Sequence, residues 1–178
     1  DGMLEDVCDK FCDKIIDLNF LQTFFQNLFF QKGEDDYAKV VDDVRTYDNN
    51  CLSVCLYAPG YNEKLAIIAS DCGKEIETLY WQNIKVAYVK KLNPIQVINR
   101  LTRVNRYDEA LELIYHNKDS QIPDSLKVNV IKGLIFSGQR ARNSLHLSAT
   151  ECWWHITLLS IPASSGSRRK KTVCPSRI

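Results

Sequence analysis

At 178 residues the chain is long enough for one domain or a short helical stack with a real core. Hydrophobic residues make up 45% and charged residues 25%, which excludes intrinsic disorder along the whole length. The net charge of +1 hides a polarity: residues 1–80 hold 16 acidic and 7 basic side chains, and residues 81–178 hold 6 and 16, leaving residues 1–139 acidic and arguing against nucleic acid as a partner.

In chain order, Met3, Leu4, Val7, Cys8, Phe11, Cys12, Ile15 and Ile16 keep an i, i+4 rhythm, with Asp6, Asp9, Asp13 and Asp17 on the other face. That period predicts an amphipathic helix of nearly four turns. Asn19 is the expected N-cap of a second helix bearing Phe20, Leu21, Phe24, Phe25, Leu28, Phe29 and Phe30 and ended by Gly33. The phenylalanines recur at helical spacing, so core or a partner-facing seam is the favoured reading over an aromatic ligand pocket.

A third helix is predicted from Glu34 to Tyr47, its N-terminus favoured by Glu34, Asp35 and Asp36. The run Cys51-Leu52-Ser53-Val54-Cys55-Leu56-Tyr57 reads as a helix from about Asn50, with a buried strand as the alternative, and stops at Pro59-Gly60. Glu63 to Ser70 forms the next helix, broken at Asp71-Cys72-Gly73. A long helix is then expected from Lys74 to about Lys91, carrying Ile76, Leu79, Tyr80, Ile84 and Tyr88 inward and Trp81 on a flank. The count to residue 137 is nine or ten helices with no hairpin, an all-α chain.

Asn93-Pro94 supplies an N-cap and a proline at the first helical position. The helix that follows ends near Asn105-Arg106, and a second begins at once with Tyr107-Asp108-Glu109-Ala110-Leu111. Thirty-three residues after Asn105 a turn signal recurs at Gly138-Gln139-Arg140, preceded by Leu126, Val130, Leu134 and Ile135. This helix–turn–helix at about 93–142 resembles the tetratricopeptide family, with Tyr107, Ala110 and Leu111 at positions of the second helix. Asn105 stands where that family usually has glycine. The resemblance implies stacked antiparallel helix pairs in an α-solenoid-like arrangement.

After Asn143, where a small residue would be expected, helical periodicity fades. Ala163 to Lys171 is a low-complexity basic run ending Arg168-Arg169-Lys170-Lys171, read as a solvated tail in preference to an import or anionic-surface patch. Three divisions follow: an N-terminal helical region at 1–92, the hairpins at 93–142 and a poorly structured basic tail at 143–178, expected to be disordered or an altered end grafted onto a truncated repeat. Because Asp1-Gly2 precede Met3, the chain is expected to be a piece of a longer protein or a processed one.

Seven cysteines, an odd number among helix-like neighbours, do not make a disulfide framework. The pairs Cys8/Cys12 and Cys51/Cys55 each share a helix face. They read as core-lining residues in preference to half metal sites, since no Cys-x₂-Cys or His-x₃₋₅-His partner accompanies them. No phosphate loop, nucleophile elbow or metalloprotease motif is present. The expectation is therefore a protein that is not an enzyme, with no cofactor and no metal. The opening residues are acidic and lack the basic region of a secretory leader, and no apolar run approaches the ~20 residues of a membrane span. A cytoplasmic location is expected.

The functional expectation is a protein-interaction scaffold receiving a peptide or partner helix. The tetratricopeptide resemblance implies Asn99, Arg103 and Lys127 as the candidate contacts, Asn99 and Arg103 being four apart and facing one way. The alternative is an RNA-binding helical repeat with Lys85, Lys90, Lys91, Arg100, Arg103 and Arg106 as a basic stripe along residues 85–106.

Overall fold

A computed structural model describes residues 2–86, 93–117 and 121–138, all within the compact unit Asp1–Ala141. The described residues form eight helices and no strand. The expected boundaries at residues 92 and 142, and the whole tail from Asn143, lie outside the described residues.

Helix α1 (Gly2–Cys12) buries Val7 and Cys8 and carries an exposed Lys10–Asp6 ion pair of 2.7 Å. It stops a turn earlier than its apolar rhythm predicts. Lys14 adopts a positive φ of 59°, which ends the helix and leaves Ile15 68% exposed.

Helix α2 (Leu18–Val44) is two helices joined at Gly33, whose φ of 75° breaks the helical run. The break between Phe30 and Tyr37 thus falls where the glycine predicts it. The N-cap, however, is Asp17 and not Asn19: the Asp17 carboxylate accepts from the Phe20 N–H at 2.8 Å. Asp17→Ala is expected to cost about 1 kcal/mol of stability, whereas Asn19→Ala should stay within about 0.5 kcal/mol. Paired urea titrations check the difference. Of the phenylalanine stripe, Phe25 is fully buried, Phe24 and Phe29 are half-buried, and Phe20 and Phe30 are exposed.

Helix α3 (Asn49–Tyr57) is the central element. Every residue from Cys51 to Tyr57 is buried, because α3 packs against α1, α2, α4 and α5. A helix covered on all sides needs no polar face, which is why its sequence shows no period and reads equally as a strand. Asp48 starts it as a helix, accepting from the Cys51 N–H at 2.6 Å. Tyr37 of α2 donates its hydroxyl to the Cys55 carbonyl at 2.8 Å, satisfying the phenol inside the core.

Helix α4 (Glu63–Asp71) is capped by Asn62, and α5 (Lys74–Asn83) follows the positive-φ Gly73. The long helix expected to reach Lys91 ends at Asn83. Ile84 turns to extended backbone (ψ 137°), and its side chain is buried without continuing the helix. Trp81, expected on a flank, is 5% exposed and packs edge-on against Tyr80.

Helices α6 (Pro94–Arg103), α7 (Tyr107–His116) and α8 (Asp124–Ser137) complete the described fold. Asn93 caps α6 ahead of Pro94, as expected. Asn105 takes the left-handed conformation, φ 61°, that glycine would take at this turn. Ala110 is fully buried, and α7 packs on both α6 and α8. Tyr107 reaches beyond its own pair. A methyl placed on Gly133 of α8 would fall 2.1 Å from the Tyr107 ring, so the tyrosine occupies the space this glycine leaves. Gly138 closes α8 in the left-handed region at the predicted turn.

Candidate functional site

The apolar residues of α6 fix which way its polar ones face. Val97, Ile98 and Leu101 are buried in the core. Gln96, Asn99, Arg100 and Arg103 are thereby turned toward α4 and α5, where they line a cavity of about 630 Å³. Tyr61 and Trp81 form aromatic walls, Ala66 and Ile67 an apolar side, and Glu63 and Ser70 a polar edge. A smaller cavity of about 230 Å³ shares Trp81, Arg100 and Arg103 and adds Lys74 and Gln82.

Two of the sequence-predicted contacts meet here. Asn99 and Arg103 line the same cavity, and both are exposed. Arg103 makes no ion pair or side-chain hydrogen bond among the described residues, so its guanidinium is free to take a partner. Lys127 is elsewhere: it lies on α8, lines neither cavity, and its ammonium meets Asp124 at 2.9 Å.

The basic stripe separates into committed and uncommitted cations. Arg100 pairs with Glu77 of α5, which also accepts the Ser70 hydroxyl at 2.8 Å. One carboxylate thus ties α4 and α6 to α5. Arg106 donates to the Trp81 carbonyl at 2.9 Å, the Ile84 carbonyl at 2.7 Å and Glu109 at 2.8 Å. It closes the C-terminus of α5, where carbonyls lack helical partners. Lys90 and Lys91 lie outside the described residues.

Next to Arg106, Asp108 and Glu109 titrate in opposite senses. Burial, then the hydrogen bond to Glu109, raises Asp108 above the usual carboxylate range. Burial also opposes ionisation of Glu109, but the bonds from Asp108 and Arg106 outweigh it and hold that carboxyl down at about 2.

Sequence reading missed the aromatic walls and the Glu77 link. Tyr61 follows a Pro-Gly turn and carries no periodic signal, while Trp81 falls off the apolar stripe that predicts an inward face. Glu77 lies 23 residues from Arg100, and no local pattern connects them.

The cysteines divide in a similar way. Cys8, Cys51 and Cys55 are fully buried, as core-lining residues should be, but Cys12 is exposed because α1 ends there. Among the described residues no group of three His, Cys, Asp or Glu side chains could hold a metal ion. No described helix is long and apolar enough to cross a membrane.

Comparison with known proteins returns no match: no family model, no curated protein and no solved structure shows significant similarity to this chain.

Proposed function

We propose that this chain is a non-catalytic interaction scaffold that receives a peptide or partner helix in the groove between α4, α5 and α6. The observation that carries the reading is the pairing of the free Arg103 guanidinium and Asn99 with the aromatic walls of Tyr61 and Trp81 around one cavity. Apolar walls with a few convergent polar groups are what a side-chain-plus-backbone ligand requires. A solenoid-like stack is the arrangement we infer for the helices. Its support is that each substantial packing pair joins helices no more than two positions apart in chain order, as when units contact only their neighbours.

The RNA reading is weakened by Arg100 and Arg106, whose charges are spent on Glu77 and Glu109 and are not held out for phosphates. The test is selection of peptides from a random displayed library on the whole chain, with binding then measured to Arg103→Glu. Selected peptides should lose about tenfold or more in affinity, the equivalent of a charge-assisted hydrogen bond. Full retention of affinity removes the groove from the reading. Filter binding of a single-stranded RNA homopolymer at two salt concentrations addresses the alternative: tight binding that collapses with salt would replace the peptide reading with the nucleic-acid one.

A further inference from the structure

The groove makes no use of the thiols where α1 meets α3. Cys8 and Cys51, 43 positions apart, bring their Sγ atoms to 3.3 Å, and both side chains are fully buried. Cys8 lies beside Val7 on the buried stripe of α1, and Cys51 sits in the first turn of α3 above its Asp48 cap. A disulfide requires the sulfurs to close to about 2.05 Å, a short approach from their present separation. Two sulfurs held this near each other across helices distant in sequence form a site for covalent modification, and a general lining of the core does not require that proximity.

We propose that Cys8 and Cys51 are an oxidation-sensitive dithiol, which a hydroperoxide converts to a disulfide that pins α1 to α3. Cys8 is the attacking sulfur. The Cys51 S–H is the donor of the shared hydrogen bond, which lowers the Cys8 thiol against the opposing effects of burial, Asp9 and Asp48, and which raises Cys51. The Cys8 thiolate attacks the peroxide oxygen; the O–O bond breaks, giving Cys8 sulfenic acid, and the departing oxide takes up the proton Cys8 had lost. The Cys51 sulfur then attacks the sulfenic sulfur. The S–S bond forms, the S–O bond breaks, and the Cys51 proton leaves with the hydroxide as water. Two thiols are oxidised and one peroxide is reduced. Access comes through α1, where Val7 and Cys8 are the buried residues and Leu4 and Phe11 pack only partly buried on the core, so that local opening exposes Cys8 without unfolding the rest.

Cys12, exposed and one turn further along α1, is the competing target. Its thiol is raised, first by partial burial and then by Asp48, which disfavours its thiolate.

The experiment treats the whole folded chain with dilute hydrogen peroxide, blocks residual thiols with iodoacetamide and maps peptides by mass spectrometry without reduction. The expected product is a peptide joining Cys8 to Cys51, formed with the loss of two free thiols and reversed by dithiothreitol. Hydrogen exchange across Gly2–Cys12 should slow after oxidation. Cys12→Ser should still form the bond, and Cys51→Ser should carry Cys8 on to sulfinic acid. A map in which Cys8 and Cys51 stay reduced while Cys12 is oxidised overturns the proposal. So does loss of the cross-link in Cys12→Ser. The wild-type map decides the matter even if Cys51→Ser does not fold, and it is independent of whether the groove binds peptides.

Discussion

Arg106→Ala should destabilise the protein by about 2–4 kcal/mol, seen as a lower urea midpoint at unchanged slope. The substitution strips the Trp81 and Ile84 carbonyls of a donor and leaves Glu109, whose side chain is 22% exposed, without its cation. Arg106→Lys should recover less than half of the loss, because an ammonium cannot reproduce the planar fork that reaches two carbonyls and a carboxylate together. The pH dependence has a definite sign. Glu109 has a folded value of about 2, below the roughly 4.3 of an unfolded glutamate, so its pairing stabilises fully above the higher value and is lost as pH falls toward the lower. The gap between wild type and Arg106→Ala should therefore be widest at neutral pH and shrink between about pH 4.3 and pH 2. A constant gap across that window would show that the bond from Asp108, not Arg106, holds the Glu109 carboxyl down, and that the carbonyl contacts carry the effect of Arg106.

Gly133→Ala should destabilise by about 1–3 kcal/mol, although alanine is by itself the better helix former. Gly133 lies in the interior of α8 with a helical backbone, so the cost is steric: its new methyl would lie 2.1 Å from the Tyr107 ring. The ring cannot swing away freely, since its hydroxyl donates to Asn105 Oδ1 at 3.0 Å and its body is half-buried between helices. Removing the ring should reverse the sign. In a Tyr107→Ala background, Gly133→Ala should stabilise by up to about 1 kcal/mol, the propensity difference alone. A double-mutant cycle by thermal or urea unfolding reads the coupling directly. Additive effects would mean that the tyrosine and the glycine do not share one space.

The helical class was legible because period, caps and breakers agree along most of the chain. Gly33, Pro59-Gly60, Asn93-Pro94 and Gly138 each fall at an observed break or cap. The errors arise where a local signal meets a tertiary one. Ile15 continues the apolar rhythm of α1, yet it stays largely exposed once Lys14 has turned the chain. Trp81 is off-stripe for an isolated helix, but Tyr61 and Tyr80 cover it from two sides. The candidate site was legible in part for the same reason. Asn99 and Arg103 share a face by helical spacing alone, and the structure brings both to one cavity. Lys127 was placed with them through the resemblance, a relation between helices that no residue spacing carries. Arg100 and Arg106 look alike in sequence to Arg103; only the position of Glu77 and of the α5 carbonyls distinguishes a structural arginine from an available one.

The near-neighbour packing of the helices bears on how the protein is made. Among the described residues no substantial contact joins helices more than two places apart, so none of these helices must wait for a distant one before it can be buried. During synthesis α3 acquires α1 and α2 as neighbours as soon as it emerges, and α4 and α5 complete its cover before α6 exists. Packing between near neighbours in chain order costs less loop-closure entropy than pairing across a whole chain, which favours fast folding. A pause in synthesis near α8 thus falls after every helix that packs substantially on α3 has been made.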